Sequence, residues 1–244
     1  MQSVNYTRYY CKWHNNTASH REFVAKYYNN LLGPFLPKNP EAFILDVGCG
    51  TGLALGFLKA SGFKNVEGVD TDAGQIKLAC EAGLPGRLVE DTVKYLAGKR
   101  ETAECVLCLD VLEHIPKSEQ IHFLRSIYET LTPKGLLVLT VPNANASLGM
   151  RWRYNDWTHT TSFTEHSLDF VLFNAGFRKI NISPAEFVRR PKWYFLPISG
   201  GRHWWAFCFF RLLRRLEMMA ELGPEQGRQV PLSLNLLAVA DREG

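Results

Sequence analysis

The sequence predicts an α/β fold, a doubly wound sheet of seven strands. Three observations carry that expectation. Phe43 to Val47 is an apolar run that passes through Gly48, Gly50 and Gly52 into a helical pattern starting near Leu53, which reads as a strand, a tight turn and a helix. Further apolar runs at 66–69, 105–109 and 136–141 alternate with amphipathic helical segments. Polar and acidic residues gather just after those runs, at the strand ends where sheets of this kind bind ligands.

Composition narrows the class. A chain of 244 residues fits one α/β domain with appendages, or two small ones. Its net charge of +4 is mild, and no nucleic-acid partner is expected. The six cysteines (11, 49, 80, 105, 108 and 208) are scattered. Cys105 and Cys108 form a C-x-x-C inside an apolar strand, where buried thiols are expected instead of a redox or zinc pair. That usage points to the cytoplasm. Met1 to Asn16 are polar and aromatic and do not read as a leader, and no apolar run approaches the ~20 residues of a spanning helix.

Residues 1–40 read as an N-terminal helical cap. Ser19-His-Arg-Glu22 is a capping box, Phe23, Tyr27 and Leu31 fall on one helical face, and Gly33-Pro34 and Pro37 end the helix. Upstream, Tyr6, Tyr9, Tyr10 and Trp13 either contact a ligand or pack.

The glycine turn follows. A dinucleotide fold wants G-x-G-x-x-G, but the sixth position from Gly48 is Leu53 and from Gly50 is Leu55. Gly-Lys-Ser/Thr is absent as well. What stands here, from Asp46, is Asp-x-Gly-x-Gly-x-Gly, which resembles motif I of the class I S-adenosylmethionine-dependent methyltransferases. The resemblance implies a Rossmann-like methyltransferase fold with S-adenosyl-L-methionine as cofactor, held by Asp46, Gly48, Gly50 and Gly52.

Val66 to Val69 form the second strand. Asp70 stands twenty residues after Gly50, where a βαβ unit sets an acid against ribose hydroxyls. Thr71 lies beside it, and Asp72 caps the helix from Ala73. Leu88-Val89 is a short third strand. The resemblance implies that Asp91 and the Thr92 amide meet the adenine, with Glu90 as the alternative acid.

Cys105 to Leu109 form the fourth strand, followed by Asp110-Val-Leu-Glu-His-Ile-Pro116. By resemblance Leu109, Asp110 and His114 lie beside the sulfonium and the acceptor. The Asn/Asp-Pro-Pro-Tyr motif of base-amine methyltransferases is missing, and so is the paired-glutamate loop of protein-arginine methyltransferases. Ser118 caps a helix with Ile121, Leu124, Ile127 and Leu131 on one face. Pro133-Lys-Gly135 turn it into strand five, Leu136 to Val141.

The connection 143–163 is long for its kind and overhangs the cofactor edge. It contains Arg153-Tyr-Asn-Asp156-Trp-Thr-His159 and then Phe163-Thr164. This is similar to the Arg-Tyr-x-Asp-x-Thr-His segment of methyltransferases from bacterial surface-polysaccharide pathways. It also resembles, more loosely, the Thr-His segment of polyprenyl-quinone O-methyltransferases. His159 is the first choice of base, with Asp156 orienting it or binding the acceptor, and His114 is the second. No metal-ligand cluster is evident in the sequence.

A helix from Thr164 to Ala175 leads to strand six, Phe177 to Ile182. Strand seven is Leu232 to Ala240, and the family pairs the two antiparallel. The methyltransferase core is thus 41–183 with 230–244, and 184–229 is an insertion rising on the cofactor side. Over 184–217 it holds seven basic residues against two acids, with nine Trp, Tyr or Phe. On a helical wheel Trp205, Cys208, Phe209, Leu212, Leu216 and Met219 share one face. Arg211, Arg214 and Arg215 lie on the other side, while Trp204, Phe207 and Phe210 also turn away from the apolar face. Two readings stand. One is an anionic membrane surface at the inner face of a bilayer. The other is a docked lid or homodimer surface.

The expected activity is O-methylation of a sugar hydroxyl in a lipid-linked or nascent bacterial glycan. The alternative acceptor is a polyprenyl phenol or lipid head group. A second alternative is a scaffold that binds the cofactor without turnover.

Overall fold

A computed structural model describes Thr7, residues 17–185 and residues 199–243. Tyr6, Tyr9, Tyr10, Trp13 and residues 186–198 of the insertion, with its first aromatic and basic residues, lie outside the described residues.

Seven strands form one sheet in the order β3-β2-β1-β4-β5-β7-β6. They are β1 (Ile44–Val47), β2 (Val66–Asp70), β3 (Gly86–Leu88), β4 (Ala103–Leu109), β5 (Leu131–Pro142), β6 (Ile180–Ala185) and β7 (Asn235–Asp241). The first five pair in parallel, and β7 runs antiparallel to both β5 and β6. The seven-stranded doubly wound sheet is therefore as the sequence predicts, with strands six and seven antiparallel. The reversal between β1 and β4 opens the crevice at the carboxyl edge where such sheets take ligands.

The strands are apolar on both faces because helices cover both. Leu45, Val106 and Leu137 face one core with Leu96 of α4 (Thr92–Ala97), Leu124 and Ile127 of α5 (Gln120–Thr130), and Leu168 and Leu172 of α7 (Glu165–Ala175). Their neighbours Ile44, Leu107 and Val138 face the other core with Leu32, which caps α1 (Ala18–Leu31), and Leu58 of α2 (Leu53–Ala60). Period-2 alternation thus sorts side chains between two buried layers instead of between core and water.

Several expected boundaries move. Helix α1 is capped by Thr17, whose side chain accepts from His20 N–H, instead of by Ser19. Phe23 is 59% exposed, and Val24 and Leu31 are buried in its place. Helix α5 has no side-chain cap at all, although Ser118 looked like one. Strand β5 starts directly at Leu131, and a register shift against β4 between Ala103 and Cys105 absorbs Pro133–Gly135. Strands β6 and β7 each sit about three residues later than the apolar runs suggest, because Phe177 and Leu232 are buried beside the sheet and not in its ladder. Cys105 and Cys108 are fully buried, and burial pushes the Cys105 thiol up to about 12, so the C-x-x-C is a packing feature.

Between β6 and β7 stand α8 (Ser199–Leu222) and the short α9 (Pro224–Gln229). Trp205, Phe209, Leu212 and Leu216, the apolar face of the wheel, are 60, 56, 55 and 51% exposed. The basic face turns inward. Arg215 Nη1 donates to the carbonyls of Gly227 and Val230 at 2.6 and 2.7 Å. Arg214 Nη1 donates to Glu217 at 2.6 Å, and its Nε reaches the Asn145 carbonyl at 3.4 Å. Arg211 lies over the Phe207 ring. Arg215, and more weakly Arg214, thus cap backbone carbonyls, a stronger demand than the aromatic stripe makes. No described helix is long and apolar enough to cross a membrane.

Candidate active site

The cofactor side is built from backbone. Gly48, Gly50 and Gly52 have φ of 75°, 55° and 80°, so the loop between β1 and α2 takes a left-handed path that other residues resist. Asp70 fixes that path from the end of β2. Its Oδ2 accepts from Gly50 N–H at 2.9 Å and its Oδ1 from Asp72 N–H at 2.8 Å. Asp72 caps α3 (Ala73–Glu81) through Gln75 N–H, as predicted, and also accepts from the Thr7 hydroxyl. Asp91 caps α4 through Lys94 N–H, with Thr92 as the first helical residue and Glu90 exposed beside it. Thr71 lies between Asp70 and the cap.

Asp46 is 2% exposed and its Oδ2 has no hydrogen-bond partner. Burial, and then the Asp70 charge, push its carboxyl up to about 7. Burial also raises Asp70, against the hydrogen bonds from Asp72 and Gly50. An orphaned buried acid beside a bare glycine loop fits a ligand that brings a positive charge and needs close backbone approach, as S-adenosylmethionine does.

Leu109 ends β4 and Asp110 follows it with φ of 55°, a strained value for a residue with a side chain. Its Oδ1 accepts from Thr140 Oγ1 at 3.1 Å and Asn235 Nδ2 at 2.7 Å, so β5 and β7 both hold it. Burial still lifts it to about 6. Burial, and then the Asp110 charge, raise the Tyr27 hydroxyl of α1.

The acceptor side is built from side chains. A 3-10 turn, Leu112–His114, carries Glu113 and His114. The segment 158–161 is laced to that turn. Thr160 Oγ1 donates among the Glu113 and Ile115 carbonyls at 2.9 and 2.7 Å, and Thr160 N–H reaches the Glu113 carbonyl at 2.6 Å. Gln120, 1% exposed, bonds Leu112, Ile115 and Thr161 from below. The result brings both sequence-predicted histidines together, with ring centroids 4.6 Å apart.

Their protons can be assigned from partners. His159 Nδ1 lies 3.1 Å from the Trp152 carbonyl, which only accepts, so Nδ1 carries the hydrogen and Nε2 the lone pair. Thr158 Oγ1 spends its hydrogen on Asp156 Oδ1 at 2.7 Å, so His114 Nδ1, 2.8 Å from Thr158 Oγ1, is the donor to it. Burial, then the neighbouring His159, pull His114 down to about 4. Burial lowers His159 as well, against the Asp156 charge. Both rings are neutral at pH 7.

Asp156, 7% exposed, was expected to orient His159; it bonds Thr158 instead, and Thr158 meets His114, while Asp156 Oδ2 stands 3.9 Å from His159 Nε2. Glu113 is the residue that sequence reasoning missed. It is 1% exposed, its Oε2 has no partner, and burial plus the Asp110 and Asp156 charges hold its carboxyl well above the usual range. Nor was a ligand cluster evident in the sequence, yet Glu113, His114 and His159 offer ligand atoms all within 4.8 Å of one another. The correction follows from topology: the lacing of 158–161 onto 112–115 joins segments that are distant in sequence. The readable signal was the pairing of Glu-His after β4 with Thr-His after β5.

A seven-stranded sheet in this order, with a glycine loop after β1 and acids closing β2 and β4, defines an α/β methyltransferase fold. Its solved neighbours agree: an Archaeoglobus fulgidus S-adenosylmethionine-dependent methyltransferase superposes with a TM-score of 0.68 at 20% identity, covering 98% of this chain and 100% of that one. A Haemonchus contortus phosphoethanolamine N-methyltransferase, crystallised with S-adenosyl-L-methionine, superposes at 0.59 and 15% identity, covering all of this chain and 61% of that one. The chain belongs to the methyltransferase-domain family, whose model matches residues 18–182. Curated relatives include the mitochondrial ubiquinone biosynthesis O-methyltransferase of Saccharomyces cerevisiae, 32% identical over 114 residues, 44% of this chain and 36% of that protein. The Rickettsia canadensis ubiquinone biosynthesis O-methyltransferase is 32% identical over 126 residues, 50% of this chain and 48% of that protein. The chain thus spans less than half the length of these two relatives.

Proposed function

We propose that this chain transfers a methyl group from S-adenosylmethionine to a phenolic hydroxyl on a polyprenyl-type acceptor. The observation that carries the reading is the acceptor mouth. The connection over the site bears Leu148, Met150, Tyr154 and Trp157, which are 52, 69, 70 and 96% exposed. Such a rim suits a prenyl tail better than a sugar. The ubiquinone-pathway names of the relatives support the same acceptor.

The chemistry agrees. The cofactor supplies an electrophilic methyl group with a neutral thioether as leaving group. Asp46, the loop of Gly48, Gly50 and Gly52, Asp70, Thr71, Asp91, Thr92, Leu109 and Asp110 are the residues to hold it. A phenol loses its proton near pH ~10, far more readily than an alcohol, so a neutral imidazole suffices as base. The Nε2 lone pair of His159 takes that proton, and Thr158 and Asp156 keep the paired ring of His114 in place.

The test is an acceptor panel with labelled cofactor: polyprenylated phenols, short-chain phenols and lipid-linked sugars. Transfer to the prenylated phenols, weaker with shortened tails, is the expected result. Label on the lipid-linked sugars alone would restore the glycan reading and refute this one. Membrane contact, on this reading, runs through the exposed apolar face of α8. Trp205→Ser/Phe209→Ser should then reduce vesicle co-sedimentation, while charge reversal at Arg211 should matter less.

A further inference from the structure

We propose that Asn235, the first residue of β7, is a positioning residue for methyl transfer. It holds the Asp110 carboxylate where the cofactor's positive charge is lost, and so tips binding toward S-adenosylmethionine and away from the product, S-adenosylhomocysteine. This rests on the cofactor and not on the phenol acceptor.

Asp110 stands at the seam of the two half-sites. Val111, the next residue, lies so close to the glycine loop that a Cβ at Gly48 would stand 2.3 Å from its Cγ2. The turn Leu112–His114, which carries the acceptor half, follows at once. A methyl group that passes from one half to the other crosses here. Water reaches Asp110 in the crevice, while the protein packed around it lifts its carboxyl to about 6.

Two donors hold one oxygen of that carboxylate. Thr140 Oγ1 accepts from Asp110 N–H at 3.1 Å and gives its own hydrogen to Asp110 Oδ1 at 3.1 Å. Asn235 Nδ2 donates to the same Oδ1 at 2.7 Å, reaching across β5 from β7. An ionised carboxylate only accepts, so Asn235 must present its amide hydrogens. Among the described residues Oδ2 makes no hydrogen bond, which leaves it to the crevice.

Asn235 is itself held. Its backbone faces Pro142 of β5 and Ala185 of β6. Ser233 Oγ donates to its carbonyl. Asn143, 0% exposed, donates from Nδ2 to the Pro231 and Ser233 carbonyls at 2.9 and 2.8 Å. The start of β7 is thus pinned to the end of β5, and the amide that projects from it has a fixed aim.

Methyl transfer leaves the S–C electron pair on sulfur, so a sulfonium becomes a neutral thioether. A carboxylate at the seam attracts the first and not the second. Asn235 sustains that attraction twice over. It orients the carboxylate, and its hydrogen bond favours the ionised form.

The experiment measures S-adenosylmethionine and S-adenosylhomocysteine affinities by calorimetry from pH 5 to 8, on the whole chain with no acceptor present. Failure of the phenol reading therefore leaves it untouched. Asn235→Leu keeps the bulk and removes the donor. It should lower the ratio of cofactor to product affinity about tenfold at pH 7, the scale of a hydrogen bond to a charged group. Cofactor binding strengthens as Asp110 ionises, and in Asn235→Leu that limb should move up by about one pH unit. Asn235→Gln, which can still donate, should stay nearer wild type. Of the groups that act on or respond to Asp110, Tyr27 of α1, Cys108 of β4 and Glu113 of the turn are all pushed up. Asp46 of the cradle titrates near 7, so the limb is read as a difference between backgrounds. In Asp110→Asn, adding Asn235→Leu should change nothing further. Equal weakening of both ligands, or the full Asn235→Leu effect persisting in Asp110→Asn, overturns the role. Should Asn235→Leu fail to fold, Asn235→Asp keeps the shape and loses the donor, and an unchanged ratio there overturns it too.

Discussion

The two halves of the site hold their ligands by opposite means. On the cofactor side the working surface is backbone: three glycines at positive φ, a helix start, and Asp70 accepting from Gly50 and Asp72. On the acceptor side it is side chains: Glu113, His114, Asp156 and His159, positioned by the threonines at 158 and 160. The first half is sensitive to atoms added and the second to atoms removed. A cofactor shared by a whole class is served by a fixed backbone cradle. An acceptor that differs between relatives is served by side chains that substitution can change.

The largest test of that contrast is His159→Ala. Turnover should fall about 10²–10⁴-fold, the usual worth of a positioned proton acceptor, with cofactor affinity near wild type. If calorimetry shows cofactor affinity falling in step with turnover, the two halves are not separate. The converse change is Asp70→Ala, which should weaken cofactor binding by about 1.5–3 kcal/mol, the scale of a hydrogen bond to a charged group. An unchanged affinity removes Asp70 from the cradle.

Gly48→Ala probes the seam between the halves. The new Cβ would stand 2.3 Å from Val111 Cγ2 at a φ of 75°, so the loop or the turn before Glu113 must shift. A stability loss of about 1–3 kcal/mol in denaturant titration is expected. No loss would mean that the turn gives way freely.

The last effect is a pH dependence. The Asp46 carboxyl sits near 7 when folded, against an ordinary value of 3.8. A raised acid favours the folded state fully below the ordinary value, and that contribution is lost as pH rises from about 4 through about 7. Asp46→Asn should therefore gain thermal stability relative to wild type as pH climbs through that window. A difference that stays flat from pH 5 to 8 would show that Asp46 is not perturbed.

The same contrast explains what the sequence revealed. The cradle is a contiguous stretch whose residue types are dictated by local backbone, so Asp46 to Gly52 and Asp70 could be read directly. The acceptor cluster is assembled across 44 residues by the bond between His114 and Thr158. Its histidines stood out as titratable, but Glu113 could not be told from a surface acid until the lacing buried it. Helix α8 stayed open in the sequence for a related reason. Its wheel has aromatics on most sides, and what turns it is Arg215 meeting the Gly227 and Val230 carbonyls, partners that no periodicity displays.

The long excursion between β6 and β7 has an evolutionary meaning. Six residue pairs, from Ile180 with Ala240 to Ala185 with Asn235, close the hairpin across it. Closing a loop of about fifty residues instead of about five costs only roughly 2 kcal/mol, because the entropy grows with the logarithm of length. The sheet therefore tolerates large changes in what is threaded between those two strands. A change of length there would leave the cradle after β1 and β2 untouched, since neither strand pairs with β6 or β7.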